Sequence, residues 1–157
     1  MGCDIHMVVE VQKYNRWWGA LEEPDTPRYY PLFGKLSDGV RGFGGIPARG
    51  LPPDMSMQTW DLNYFRVTED PILEREVNQE TTHHWPGEIF NNGCLDYIED
   101  PDNHSHSWLV LAEFEYILDS VSKENNNLLP EYRAILAYMN TLESAGKSTR
   151  IVIWFYN

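Results

Sequence analysis

Two short motifs place a carboxylate and an imidazole two residues apart. Asp4-Ile5-His6 opens an otherwise apolar segment, and Asp102-Asn103-His104 repeats the spacing later in the chain. Residues two apart in an extended strand share a face, so Asp4 and His6 are expected to be neighbours. An aspartate beside a histidine can fix the imidazole tautomer or join it as a metal ligand. The structural alternative is a capped strand end with a satisfied histidine.

A catalytic centre would form if these two motifs converged. Its candidate catalytic residues are His6, His104, Asp4 and Asp102. Such a mixed nitrogen and oxygen donor set suits a divalent metal, Zn or Mn, and the expected metal ligands are Asp4, His6 and His104. Without a metal, His6 or His104 would act as a general acid or base, tuned by its aspartate.

Polar residues after the second motif indicate an anion site. The sequence predicts that a helix begins at Trp108 with Ser107 as its N-cap, so Ser105, Ser107 and Trp108 are candidate ligand-binding residues. Free N–H groups and the positive end of the helix dipole would favour phosphate or carboxylate. The alternative is a simple capping turn with solvated histidines.

Two arginines are the other candidate ligand-binding residues. Arg41 and Arg49 lie in residues 39–53, which are rich in glycine and proline and allow close approach of main chain to a ligand; Arg28, beside proline-rich backbone, is a further candidate of the same kind. A guanidinium group matches the geometry of phosphate oxygens. The alternative is a salt bridge to one of the chain's many carboxylates.

Composition limits the partners. The chain has 157 residues, consistent with one domain spanning 1–157, and carries 24 acidic against 12 basic residues for a net charge of −12. That charge would repel duplex nucleic acid, whereas a small phosphorylated or nucleotide ligand remains compatible with a local arginine cluster. We expect no membrane segment and no disulfide framework, because apolar runs are short and there are two cysteines. A reducing cytoplasm is the expected setting.

The periodicity predicts an α+β fold. Met7–Lys13 and Arg150–Tyr156 are predicted strands, so an antiparallel-leaning sheet is expected to contain both termini. Two helices in the C-terminal half, Trp108–Val121 and a second from Pro130 that stops at Gly146, are expected on one face. A long, irregular, aromatic-rich insertion is expected over 61–102; it contains His83-His84, of which one at most would join the centre.

These segments resemble a family of uncharacterised proteins common in bacteriophage and bacterial genomes. The resemblance rests on the opening Met1-Gly2-Cys3-Asp4-Ile5-His6, on Tyr30-Pro31-Leu32-Phe33 with Leu36 and Val40-Arg41, on Arg49-Gly50-Leu51-Pro52 with Asp54 and Ser56, and on Asp102-x-His104-Ser105-x-Ser107-Trp108-Leu109. It implies that the polar clusters are marks of the family and that the chain is of phage type. It implies no particular activity.

Three functions fit these observations. The first is an enzyme acting on a phosphorylated or nucleotide ligand, a metal-assisted hydrolase or phosphodiesterase with an Asp/His centre. The second is a non-catalytic phage protein that binds and sequesters a nucleotide signal of host defence. The third is an acidic inhibitor of a host enzyme, for which the polar clusters would be structural only.

Overall fold

The computed structural model describes residues 2–67, 96–125 and 130–157. In chain order its elements are β1 (Asp4–Lys13), β2 (Arg16–Glu22), α1 (Tyr30–Leu36), α2 (Met57–Asn63), β3 (Tyr64–Val67), β4 (Asp96–Glu99), β5 (Asn103–Val110), α3 (Leu111–Asn125), α4 (Pro130–Ser144) and β6 (Thr149–Tyr156). Within this part of the chain, no helix is both long enough and apolar enough to cross a membrane.

The main sheet has four strands in the order β2-β1-β6-β5, all antiparallel to their neighbours. β1 and β6 pair at its centre along the whole length of β6, from Asp4 opposite Tyr156 to Val11 opposite Thr149. The predicted α+β fold, with an antiparallel sheet that contains both terminal segments, is therefore confirmed.

The hairpin between β1 and β2 explains why β2 was not predicted. Lys13 pairs with Arg16, so the loop has two residues, and Tyr14 and Asn15 have φ of 53° and 61°. Both angles are those of a type I′ turn, which matches strand twist but usually carries Asn-Gly or Asp-Gly. A Tyr-Asn turn without glycine gives only a weak sequence signal.

The apolar core lies on one face of the sheet, under α1, α3 and α4. Alternate β1 residues Ile5, Met7 and Val9 point into it, together with Phe155 of β6. The helices contribute the buried residues that their periodicity predicted: Phe114, Leu118 and Val121 from α3, and Tyr132, Ile135, Leu136 and Met139 from α4. Both C-terminal-half helices thus pack on this face, as predicted, and we call it the helix face.

The opposite face holds a buried ion pair. Glu10 and Arg150 are cross-strand partners with side chains 0% and 6% exposed, and Arg150 Nε lies 2.7 Å from Glu10 Oε1. Glu10 Oε2 accepts hydrogen bonds from Ser56 N at 2.5 Å and Thr59 Oγ1 at 2.8 Å. Since Ser56 is the N-cap of α2, the carboxylate ties this helix to the sheet.

The start of the first long helix differs from the prediction. Residues 103–110 form β5, and α3 begins at Leu111 rather than at Trp108. Ser107 is not an N-cap: it is buried in the strand, opposite Ile153. Glu113 instead caps the start of α3. Its Oε2 accepts a hydrogen bond from Val110 N at 3.0 Å, which is one of the two hydrogen bonds of a capping box.

The predicted insertion is regular at its described edges. Tyr64–Val67 and Asp96–Glu99 pair as an antiparallel ribbon, with Tyr64 opposite Glu99. The rest of the insertion, with His83-His84, lies outside the described residues, so a single domain spanning 1–157 stays a prediction.

The buried pair gives the first prediction. Glu10→Ala should lower the free energy of unfolding by about 3–5 kcal/mol, because it leaves Arg150 buried without its partner. Urea denaturation measures this. The matched control is Asp119→Ala, which removes the exposed pair with Arg133 (side chains 51% and 39% exposed) and should cost about 1 kcal/mol or less. If the two variants lost the same free energy of unfolding, burial would not explain the importance of the Glu10–Arg150 pair.

Candidate functional site

The first residues of β1 place Asp4 and His6 on the face opposite the helices. Asp4 pairs with Tyr156 and His6 with Trp154, and directly paired residues share a face. The His6 ring stacks on Trp154 with 5.8 Å between centroids and 9° between planes. The predicted shared face of Asp4 and His6 is therefore present.

Each of these two residues is bound by a charged partner that lies outside the sequence motifs. Arg28 Nε and Nη2 donate to the two oxygens of Asp4 at 2.5 and 2.9 Å, a bidentate pair. This hydrogen bonding is the main reason why the pKa of Asp4 is lowered. His6 Nδ1 lies 2.6 Å from Glu23 Oε2, and that hydrogen bond raises the pKa of His6 more than burial lowers it.

Arg28 also packs tightly against the backbone at the start of the chain. A Cβ at residue 2 would collide with the Arg28 guanidinium group, so Gly2 is required for this approach. The Arg28 side chain remains 53% exposed. The guanidinium group therefore contacts the backbone at Gly2 on one side and is open to solvent on the other.

A second arginine approaches the same end of β1 at the helix face. The Tyr30 hydroxyl accepts from Cys3 N at 3.3 Å, and the central guanidinium carbon of Arg41 lies 5.2 Å from the Tyr30 ring centroid. Burial raises the pKa of the Cys3 thiol, and the hydrogen bond from Arg41 only partly offsets this. Cys3 is thus a protonated, buried thiol and makes a poor nucleophile. We call Cys3, Asp4, Arg28, Tyr30 and Arg41 the arginine cluster.

His104 does not join Asp4 and His6. It is opposite Phe155, which is itself opposite Ile5, so its side chain lies on the helix face. Its ring centroid is 6.2 Å from that of Phe155, and its Nδ1 is 3.0 Å from Ser105 Oγ. Its Nε2 is buried and has no hydrogen-bond partner in the described structure.

Asp102 is on the side of Asp4 and His6. The Tyr156 hydroxyl lies 3.4 Å from Asp102 Oδ2, and the Tyr156 ring meets the His6 ring edge-on at 6.1 Å. The four residues therefore do not share one face of the sheet, because β6 separates β1 from β5 and the register sets His104 on the helix face. The predicted metal ligands are divided in the same way, and the described residues contain no group of three or more His, Cys, Asp or Glu side chains that could hold a metal ion.

Arg49, Ser107 and Trp108 do come together, but they bind one another. Arg49 N donates to Ser107 Oγ at 3.2 Å, and its guanidinium group lies 4.9 Å from the Trp108 ring centroid. The same group donates to both oxygens of Glu113, at 2.8 and 2.6 Å. The arginine therefore has the alternative role noted from the sequence, a salt bridge that fastens the loop before α2 to the start of α3.

Backbone strain marks this end of the sheet. Outside the hairpin turn, the described non-glycine residues with positive φ are Glu23 at 44°, Arg41 at 56° and Ser105 at 54°. Each contacts or belongs to a candidate group: Glu23 binds His6, Arg41 is in the arginine cluster, and Ser105 binds His104. Residues held in such conformations are enriched at functional sites.

Sequence reasoning did not single out Glu23 or pair Arg28 with Asp4. No local signal could have done so, because the partners are 17 and 24 residues apart in the chain. Comparison of the chain with known protein families, curated proteins and solved structures found no match.

The His6–Glu23 pair gives the second prediction. NMR titration of the imidazole should give a pKa above 6.5, and Glu23→Gln should lower it. The raised pKa also implies that this pair stabilises the fold fully below about pH 6.5 and progressively less as pH rises through the folded-state pKa. Asp102→Asn is the control and should leave the His6 pKa almost unchanged; an unchanged pKa in Glu23→Gln would refute the assignment.

Proposed function

We propose that the protein binds a small phosphorylated or nucleotide ligand at the arginine cluster. The observation that carries the proposal is the convergence of two guanidinium groups, Arg28 and Arg41, on the start of β1 beside a single carboxylate, Asp4. Both arginines are exposed on their outer sides. The cluster is therefore locally cationic within a chain of net charge −12.

Arg28 has more hydrogen-bond donors than Asp4 uses. A guanidinium group has five N–H donors, and Arg28 uses Nε and Nη2 on Asp4. The other donors of Arg28 could bind phosphate oxygens in the bidentate manner that arginine favours, and Arg41 adds a second positive charge. Repulsion from distant acids is screened over roughly 8–10 Å at physiological salt, so the local charge dominates at this site.

Strain at Arg41 supports a role beyond folding. Left-handed backbone costs a residue with a Cβ roughly 1–2 kcal/mol, and glycine would adopt φ of 56° without that cost. An exposed arginine at this position is costly for stability and useful for placing a cation over Tyr30. The same loop has glycines at other left-handed positions, such as Gly39 and Gly44.

Binding without hydrolysis fits the geometry better than the hydrolase hypothesis. Asp4 and His6 are bound to Arg28 and Glu23, and His104 lies across β6 on the other face. A general acid–base pair needs both groups within reach of one reacting atom. The proposal sets the binding in a reducing cytoplasm, that of the host if the chain is phage-encoded, where retention of a nucleotide would remove it from signalling.

The third prediction separates binding from folding. Arg41→Gly should weaken binding at least about tenfold through the loss of charge-assisted contacts, while its free energy of unfolding stays within about 1 kcal/mol of the wild type. Calorimetry against a panel of nucleoside monophosphates, triphosphates and cyclic nucleotides measures binding, and urea denaturation measures stability.

The matched control is Tyr14→Gly, which relieves a similar φ of 53° in the hairpin and leaves both arginines in place. It should bind like the wild type. Equal affinity in Arg41→Gly, or no binding of any panel member by the wild type, would refute the proposal. Release of a hydrolysed nucleotide, detected by mass spectrometry, would replace sequestration with the hydrolase hypothesis.

A further inference from the structure

A cavity separate from the arginine cluster lies between the end of α1, the glycine-rich loop of residues 39–53 and α3. Its volume is about 550 Å³, which is within the range of small-molecule sites. Most of its wall is apolar and comes from Ile46, Ala112, Tyr116 and Ile117. No member of the arginine cluster lines it, so the two sites are distinct.

The loop wall of this cavity is rigidly attached to α1. Ile46 N donates to Lys35 O at 3.1 Å, and Asp38 N donates to Ile46 O at 2.8 Å. A Cβ at residue 45 would collide with the Gly34 carbonyl oxygen, so the chain can pass here only as glycine. The cavity is therefore formed before any ligand arrives.

One cation lines this apolar cavity without an acidic partner. Lys35 is partly buried, and in the described structure its ammonium group makes no salt bridge. Glu113 also lines the cavity, but both of its carboxylate oxygens accept hydrogen bonds from Arg49. The nearby Asp38 accepts from the backbone N–H groups of Gly44 and Gly45. A lysine that lines an apolar wall with no carboxylate partner among the described residues is unusual in an acidic chain.

We propose that this cavity binds a small amphipathic anion, an apolar chain or ring with one carboxylate, and that the carboxylate pairs with Lys35. A single lysine is a point charge, and the glycine N–H groups nearby are used by Asp38. The wall thus supplies charge for one carboxylate and no fork of donors for a phosphate. The apolar residues would bury the hydrocarbon part of the ligand.

The fourth prediction uses octanoate and its neutral counterpart 1-octanol as probes. Wild-type protein should bind octanoate about tenfold more tightly than octanol, measured by calorimetry or ligand-observed NMR. Lys35→Met keeps the apolar stem and should remove this preference while octanol binding persists. Ala112→Trp should fill the cavity and weaken both probes.

Lys147→Met, which removes an exposed lysine outside the cavity, is the matched control and should retain the preference. Arg41→Gly should also bind octanoate normally, so failure of the nucleotide proposal would not affect this test. Equal binding of octanoate and octanol by the wild type, absence of binding by both, or the same loss in Lys147→Met as in Lys35→Met would overturn the inference.

Discussion

The buried pair of Glu10 and Arg150 fixes the register on which the rest of the structure depends. It joins the two central strands directly, and its other contacts bring in α2 through Ser56 and β2 through Trp17, whose ring centroid is 4.1 Å from the guanidinium carbon of Arg150. Arg150 Nη1 also donates to Asp54 Oδ1 at 2.8 Å, so the loop before α2 is held by the same cation. A one-residue slip of β1 would bring Glu10 to the apolar helix face.

That register also places the polar groups near the start of β1 on different faces of the sheet. With Glu10 and Arg150 on one face, alternation puts His6 and Asp4 on that face, and Cys3 and Ile5 on the helix face. Strand β5 adds an irregularity between His104 and Ser107 that turns the backbone at Ser105. Two histidines that look equivalent in sequence therefore have different surroundings: one is stacked and ion-paired, the other enclosed against the core.

Much of the fold could be predicted from local patterns. Three patterns are visible in any short stretch of the sequence. They are the alternation in β1, the β-branched and aromatic residues of β6, and the apolar stripes of α3 and α4. Strand β5 could not be predicted in this way, because Asn103-His104-Ser105-His106-Ser107 has polar residues on both faces and reads as a helix cap. It becomes a strand only because β6 pairs with it, and that pairing is not local.

The candidate site was predictable in its residue types and not in its partners. The spacing of Asp4 and His6 in the sequence indicated both residues. Their partners Arg28 and Glu23 lie in the segment after β2, which contacts the start of β1. Arg41 and Arg49 looked alike in the glycine-rich loop. Only the tertiary structure distinguishes them, since Glu113 on α3 binds Arg49, whereas Arg41 reaches the start of β1.

We propose that Arg28 and Arg41, rather than the histidines, form the recognition surface of this protein. The most direct test of this proposal is an NMR titration that follows the side-chain Nε–H signals of the arginines while the tightest-binding nucleotide is added. We predict that the signals of Arg28 and Arg41 shift and that those of Arg49 and Arg150 do not, since Arg49 is bound to Glu113 at the start of α3 and Arg150 is buried beside Glu10, both outside the arginine cluster. A shift confined to Arg49, or no shift in Arg28 and Arg41 at saturation, would contradict the account.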